Sequence, residues 1–176
     1  MIIFDLDGTL ADCEHRRYFV DLKIIIPMTN EEMFNKMKKL MKNEKIEARK
    51  PDWKSFYEAC DKDLPIEPVI DIIKSLHRWD YYDDCEDVHI WSGRCESVRD
   101  KTVLWLDKHG ITYESLKMRP IGDYTPDEIL KEKWLNEELA QGKTVEYVFD
   151  DRPKVVRMWR RHGIFVFNCS QHDRDF

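Results

Sequence analysis

"IIFDLDGTLAD", residues 2–12, sets an apolar run against two aspartates two positions apart and follows them with Gly8 and Thr9. Such a run, closed by Asp, Gly and Thr, reads as a short buried strand that stops in a turn. Asp5 and Asp7 are then held close together at its end. Like charges so placed repel, and the pairing costs free energy unless a cation or a chemical task offsets it.

Farther along the chain, apolar strands alternate with helical stretches, the pattern of crossover units and a parallel sheet. After Pro65, the residues Ile66, Val69, Ile70, Ile73 and Leu76 recur at helical spacing, and Val88–Trp91 then reads as a strand ending at Ser92, Gly93 and Arg94. A helix follows through Val98, Thr102 and Trp105, with Gly110 as its left-handed stop and Lys108 and His109 at the negative end of its dipole. "TPDEILKEKWL", from Thr125, predicts a helix with Thr125 as N-cap, Pro126 in the first turn, and Asp127 and Glu128 beside the positive end. Residues 145–149 form the next expected strand, running into Asp150, Asp151 and Arg152. Pro153 opens a further helix, stopped in "RHGI" before a last strand at 164–167.

The expected fold is α/β, a Rossmann-like parallel sheet with helices on both faces. The whole of residues 1–176 forms one domain, interrupted by a small helical cap insertion at about 13–64. In that insertion "TNEEMFNKMKKLMKNEK" predicts an amphipathic helix with Met33, Phe34, Met37, Leu40 and Met41 toward one side. Trp53, Phe56 and Tyr57 follow in "KPDWKSFYEAC". They either pack a small helix or offer flat faces to a nucleobase.

Composition narrows the function. With 42% hydrophobic and 36% charged residues, the chain is globular with a heavily charged surface, and no apolar stretch is long enough to span a membrane. A formal net charge of −6 argues against broad, non-specific attraction to a phosphate backbone. It leaves room for a local basic cleft, with Arg16, Arg17, Arg94, Arg99, Lys131 and Arg152 as candidates. The five cysteines are odd in number and form no C-x-x-C pair, which suits free thiols in a reducing compartment. Met1 leads directly into the apolar run without a secretory leader, so a cytoplasmic location is expected.

Several motifs fail on spacing. Asp5–Gly8 begins like a calcium loop, but the sixth loop position is Leu10 rather than Gly. Gly142-Lys143-Thr144 lacks the earlier glycine of a nucleotide P-loop, position 137 being Glu137. No cysteine has an arginine six positions on, as a cysteine-dependent phosphatase requires, and Cys169 with His172 is at most half a zinc site.

What remains is a set of strand ends: Asp5 and Asp7, Ser92 with Arg94, and Asp150 with Asp151. In a parallel sheet these share one edge, where ligands bind. D-x-D-G-T after the first strand, a strand ending in Ser, a lysine on a helix and a strand ending in Asp-Asp resemble the four motifs of the haloacid dehalogenase superfamily. Within it, "WSGR" and "FDDRPKVVRMWRRHGI" are most similar to the 3′-phosphatase domain of phage-type polynucleotide kinase/phosphatases, over about residues 1–16 and 65–176. The likeness breaks off at about 17–57, where the segment is longer, and the kinase domain is missing. Both departures leave the substrate open.

The resemblance implies a Mg²⁺-dependent phosphomonoesterase. Metal ligands would be Asp5, the Asp7 backbone carbonyl, and a carboxylate of Asp150 or Asp151, which of the two being open. Asp5 would form an aspartyl-phosphate, and Asp7, starting protonated, would act as general acid and then base. Ser92, with Gly93 beside it, and the backbone of Gly8 and Thr9 would bind phosphoryl oxygens, and Lys131 would neutralise remaining charge. Arg16 and Arg94 would grip phosphate, while Asp127 would orient Lys131 or Arg94. Three of these roles have simpler rivals: Asp5 and Asp7 could merely cap a turn, Lys133 could replace Lys131, and Arg16 could belong to a solvated run with His15 and Arg17. The implied partner is a phosphorylated nucleic acid end or a nucleotide, with no membrane. A 5′-nucleotidase or small-metabolite phosphatase of the same superfamily, and a non-catalytic phosphate-binding protein, are the alternatives. Oligomeric state is not readable.

Overall fold

The computed structural model describes residues 1–22, 29–41, 50–76 and 87–170. Cys85, His172 and the end of the amphipathic segment at 42–45 lie outside the described residues. In chain order the elements are β1 (Ile2–Phe4), β2 (Ala11–Asp12), α1 (Asn30–Met41), α2 (Trp53–Glu58), β3 (Leu64–Pro65) and α3 (Glu67–Leu76). They continue with β4 (Val88–Cys95), α4 (Arg99–Lys108), β5 (Ser115–Arg119), α5 (Asp127–Ala140), β6 (Tyr147–Asp150), α6 (Pro153–Arg161) and β7 (Phe165–Asn168).

The main sheet is parallel throughout, in the order β5-β4-β1-β6-β7. From β1 the chain crosses outward to β4 and β5, then returns to the other side of β1 for β6 and β7. The carboxyl ends of β1, β4 and β6 therefore frame the crevice where a doubly wound sheet binds ligands. β1 is apolar at every position because both its faces are buried. Ile2 and Phe4 pack with Ile70 and Ile73 of α3 and Trp105 and Leu106 of α4. Ile3 faces the other way, with Leu130 and Leu135 of α5 and Val155 and Trp159 of α6.

The insertion leaves and rejoins the sheet domain through an antiparallel ribbon, in which Ala11 lies opposite Pro65 and Asp12 opposite Leu64. Between the two strands come α1, α2 and two short 3₁₀ turns. Met33 and Phe34 of α1 are exposed, so the apolar side expected there is uncovered at both, and the side chains of Met37, Leu40 and Met41 are outside those described.

Three local expectations need correction. Thr125 does not cap α5, since Pro126 occupies the cap position with an extended ψ of 144° and no side-chain cap bond is made. Thr125 is spent elsewhere: its N–H donates to Asp123 and its carbonyl accepts from Arg119. The edge strand β5 and the β2–β3 ribbon also lie outside the expected strands. Gly110 and Gly163 do stop α4 and α6 with left-handed φ of 65° and 74°. Among the described residues no helix is long and apolar enough to cross a membrane, and Cys13, Cys60, Cys95 and Cys169 are free thiols.

Candidate active site

β1 ends at Phe4, and the next residue, Asp5, is tied to β6 by its N–H donating to the Phe149 carbonyl at 2.9 Å. That register sets Asp5 beside Asp150 and Asp151 at the end of the neighbouring strand. One carboxylate oxygen from each of Asp5, Asp150 and Asp151 lies within 4.8 Å of the others, and all three residues are buried. Lys131 of α5 reaches into the group, its Nζ donating to Asp5 Oδ1 at 2.6 Å and to Asp150 Oδ2 at 2.8 Å. Lys133 instead points outward, 72% exposed, toward Glu137, which removes it as a rival.

Burial disfavours charge on all these groups. It pushes Asp5 well above the ordinary carboxylate range against the opposing pull of Lys131, and it lifts Asp151 to about 7, with the Asp150 charge adding to the rise. Lys131 stays protonated despite burial because Asp150, Asp5 and Asp127 surround it. Three carboxylates thus face one ammonium, and Asp151 Oδ1 is buried without a hydrogen-bond partner among the described residues. A hard divalent cation fits this all-oxygen donor set.

Gly8 makes the approach feasible. Its φ is +88°, and a Cβ there would sit 2.1 Å from Asp151 Oδ2. The turn that Gly8 begins consumes its own amides: Gly8 N–H donates to the Ala11 carbonyl at 2.8 Å and Thr9 N–H to the Leu6 carbonyl at 3.3 Å. These amides are therefore engaged within the loop, whereas the buried Thr9 hydroxyl lacks a partner among the described residues.

Asp7 departs from expectation. Its carboxylate turns into a clamp, with Oδ1 accepting from Arg16 Nη2 at 2.6 Å and from Arg94 Nε at 2.8 Å. Burial alone would raise its pKa, but the two guanidiniums outweigh it and hold the group at about 2. Asp7 is a carboxylate at rest rather than the protonated acid expected from its neighbour in sequence.

Arg16 and Arg94 are both fully buried, so Arg16 is no part of a solvated run, and neither guanidinium is presented to solvent as a phosphate grip. Their second partner is Asp63, which sequence reasoning missed. Its carboxylate accepts from Arg16 Nε and Nη2, both at 2.7 Å, from Arg94 Nη2 at 2.5 Å, and pairs with His15 at 2.9 Å. Burial pushes Asp63 up in spite of the Arg16 hydrogen bonds.

The remaining predicted residues divide. Ser92 is buried, and its Oγ accepts from the Arg94 N–H at 3.1 Å. Gly93 lies against Asp127, where a Cβ would meet Oδ1 at 2.4 Å. Asp127 pairs with Arg119 at 3.1 Å, Arg152 at 3.2 Å and Lys131 at 3.8 Å rather than with Arg94. The proposed basic cleft is not shared: Arg17 pairs with Glu14 and Arg99 with Glu96.

This arrangement can hold a cation beside an anionic nucleophile and stabilise charge on a bound phosphoryl group, and comparisons with known proteins agree in kind. The family model of the polynucleotide kinase PNKP phosphatase domain matches residues 45–174. A protein of Autographa californica nuclear polyhedrosis virus, named as a bifunctional polynucleotide kinase/RNA ligase, is 35% identical over 130 residues, 72% of this chain and 18% of that protein. A chain of the Pnkp1/Rnl/Hen1 complex superposes with a TM-score of 0.67 at 28% identity, covering 98% of this chain and 46% of the other. A haloacid dehalogenase-like hydrolase from Streptococcus pneumoniae shares the fold, with a TM-score of 0.57 at 14% identity over 95% of this chain and 82% of its own. The chain thus spans less than half the length of the polynucleotide kinase relatives it matches. On site, fold and family together, the chain belongs to the polynucleotide kinase PNKP phosphatase domain family of the haloacid dehalogenase superfamily, and is a phosphatase.

Proposed function

We propose that the chain removes the 3′-phosphate from the end of a nucleic acid strand, with Asp5 as the nucleophile. The observation that carries this reading is the meeting of Asp5, Asp150, Asp151 and Lys131 in one buried group at the carboxyl edge of the sheet. Mg²⁺, held by Asp5, Asp150 and Asp151, would screen the repulsion between a carboxylate and a phosphate dianion.

Asp5 attacks phosphorus, the ester P–O bond breaks, and the electron pair leaves on the strand's 3′ oxygen. Lys131 fixes the Asp5 carboxylate in one orientation and opposes the burial that favours its neutral acid. Ser92 donates its hydroxyl to a phosphoryl oxygen. For Asp7 to protonate the leaving oxygen it must first take up a proton from water, which a shift of Arg16 or Arg94 away from it would allow, because release from that pair raises its pKa. Water then attacks phosphorus and gives its proton to Asp7. The P–O bond to Asp5 breaks, which regenerates the carboxylate and frees inorganic phosphate.

The test is phosphate release, with Mg²⁺ present, from a 3′-phosphorylated oligonucleotide, a panel of mononucleotides and an aryl phosphate. The oligonucleotide is expected to be turned over most efficiently, and Asp5→Asn to abolish release from every substrate. Preference for a mononucleotide would select a nucleotidase instead, and a fully active Asp5→Asn variant would end the covalent scheme.

A further inference from the structure

The aromatic cluster of the insertion takes no part in the chemistry above. Trp53, Phe56 and Tyr57 share α2, but they divide by environment. Phe56 is buried beneath the Arg16 guanidinium, which lies 4.1 Å from its ring centre. Trp53 remains 44% exposed, and Tyr57 is half-buried. The Trp53 and Tyr57 rings lie 5.9 Å apart, tilted by 31°, and Phe56 stands edge-on to both at 5.7 and 5.6 Å. Phe56 therefore anchors the helix and braces the other two rings from below, so the core does not require Trp53.

Tyr57 connects this pair to the active site. Its hydroxyl donates to the Gly93 carbonyl at 3.3 Å, the same oxygen that accepts from Arg119 Nε at 2.9 Å. Gly93 abuts Asp127, and Asp127 pairs with Lys131, which holds Asp5. A braced aromatic pair, outermost at Trp53, is thus linked through Gly93 and Asp127 to Lys131 and the nucleophile. A phosphorylated sugar or inorganic ester has no flat face to lay on such a surface, whereas every nucleobase does.

We propose that Trp53 and Tyr57 form a stacking platform for the base of the nucleotide that bears the scissile phosphate, making the site selective for base-bearing phosphate esters. This rests on the polynucleotide reading above and adds to it the part of the substrate that is recognised. The platform reads the presence of a base rather than its identity, because stacking uses the π-face and leaves the hydrogen-bonding edges free.

Two 3′-phosphorylated oligonucleotides that differ only in whether the last sugar carries a base provide the test. For the wild-type protein, the abasic substrate is expected to show the higher KM. Trp53→Ala should raise KM for the base-bearing substrate by about 5- to 150-fold, leave kcat little changed, and hardly affect the abasic one. Trp53→Phe should recover much of the loss, which a merely structural role for the indole would not predict. Equal KM values of the wild type on both substrates, or an unchanged KM in Trp53→Ala, overturn the platform alone. No phosphate release by the wild type from either oligonucleotide overturns the polynucleotide reading, and the platform with it.

Discussion

Asp63 makes no contact with the three-carboxylate group, yet it holds the two arginines that hold Asp7. Its side chain is fully buried, and each of its oxygens accepts from a guanidinium. Two arginines and two aspartates balance in charge there, so removing one carboxylate leaves a buried positive excess that no water can solvate. Asp63→Ala is expected to lower stability by about 3–5 kcal/mol, measured as a fall in the urea midpoint at unchanged slope. A loss below about 1 kcal/mol would mean that desolvation of the four groups cancels their attraction. This residue also marks how far the site was legible in the sequence. Asp5, Lys131, Asp150 and Asp151 were readable because each belongs to a motif at a strand end or helix face. Asp63 sits in "CDKDLP", a charged stretch like any surface loop, and its meaning arises only when the insertion folds it against Arg16 and Arg94. Asp7 was misjudged for the same reason: nearness to Asp5 along the chain predicted mutual repulsion, while the fold supplied two cations from elsewhere.

β5 illustrates the corresponding limit for elements. Its sequence, "SLKMR", alternates Lys117 and Arg119 with Leu116 and Met118, and reads as a polar connection between helices. Among the described residues it is an edge strand, and charged residues are common there. The charges are also used. Lys117 donates to Glu138 of α5 at 2.5 Å, and Lys143, just beyond that helix, lies 2.6 Å from the same carboxylate, so Glu138 fastens α5 to the sheet edge. The strands that were legible, β1, β4 and β6, are central and apolar, and they are the ones that position the site. Hydrogen bonds from Lys117 and then Lys143 hold the Glu138 carboxyl below its ordinary pKa. A group depressed on folding stabilises above its unfolded pKa, about 4.3 for glutamate, and this contribution disappears as pH falls through the folded value. Glu138→Gln should therefore cost about 1 kcal/mol at pH 7 and progressively less as the pH falls, measured by urea unfolding of both proteins across an acid series. A difference that does not shrink with pH would assign the effect to packing rather than charge.

Across the whole molecule, the site exists only because the sheet is complete. Asp5 and the Asp150–Asp151 pair stand at opposite ends of the chain, and β1 and β6 are neighbours only after the chain has crossed to β5 and returned. Folding must therefore gather three carboxylates into a space where the Lys131 ammonium bridges Asp5 and Asp150, and where burial raises the cost of each charge. In the unfolded chain these groups are dispersed and have no common affinity for a cation. A divalent ion that binds the gathered set alone must stabilise the folded state by mass action, by about 2.7 kcal/mol at a hundredfold excess over its Kd. For a chain of this length that corresponds to a rise in Tm of roughly 5–10 °C on adding Mg²⁺, reversed by a chelator together with phosphate release. Asp151→Asn should abolish the Mg²⁺-dependent rise while raising the Tm of the metal-free protein, because it removes a carboxyl group whose ionisation burial and Asp150 both oppose, without emptying the space. The two effects have opposite signs and a common origin, which separates metal binding from general salt stabilisation: salt would screen the same repulsion in the wild type, but no more strongly for Mg²⁺ than for an equal ionic strength of Na⁺. Equal Tm shifts from the two salts would exclude a divalent site at these carboxylates.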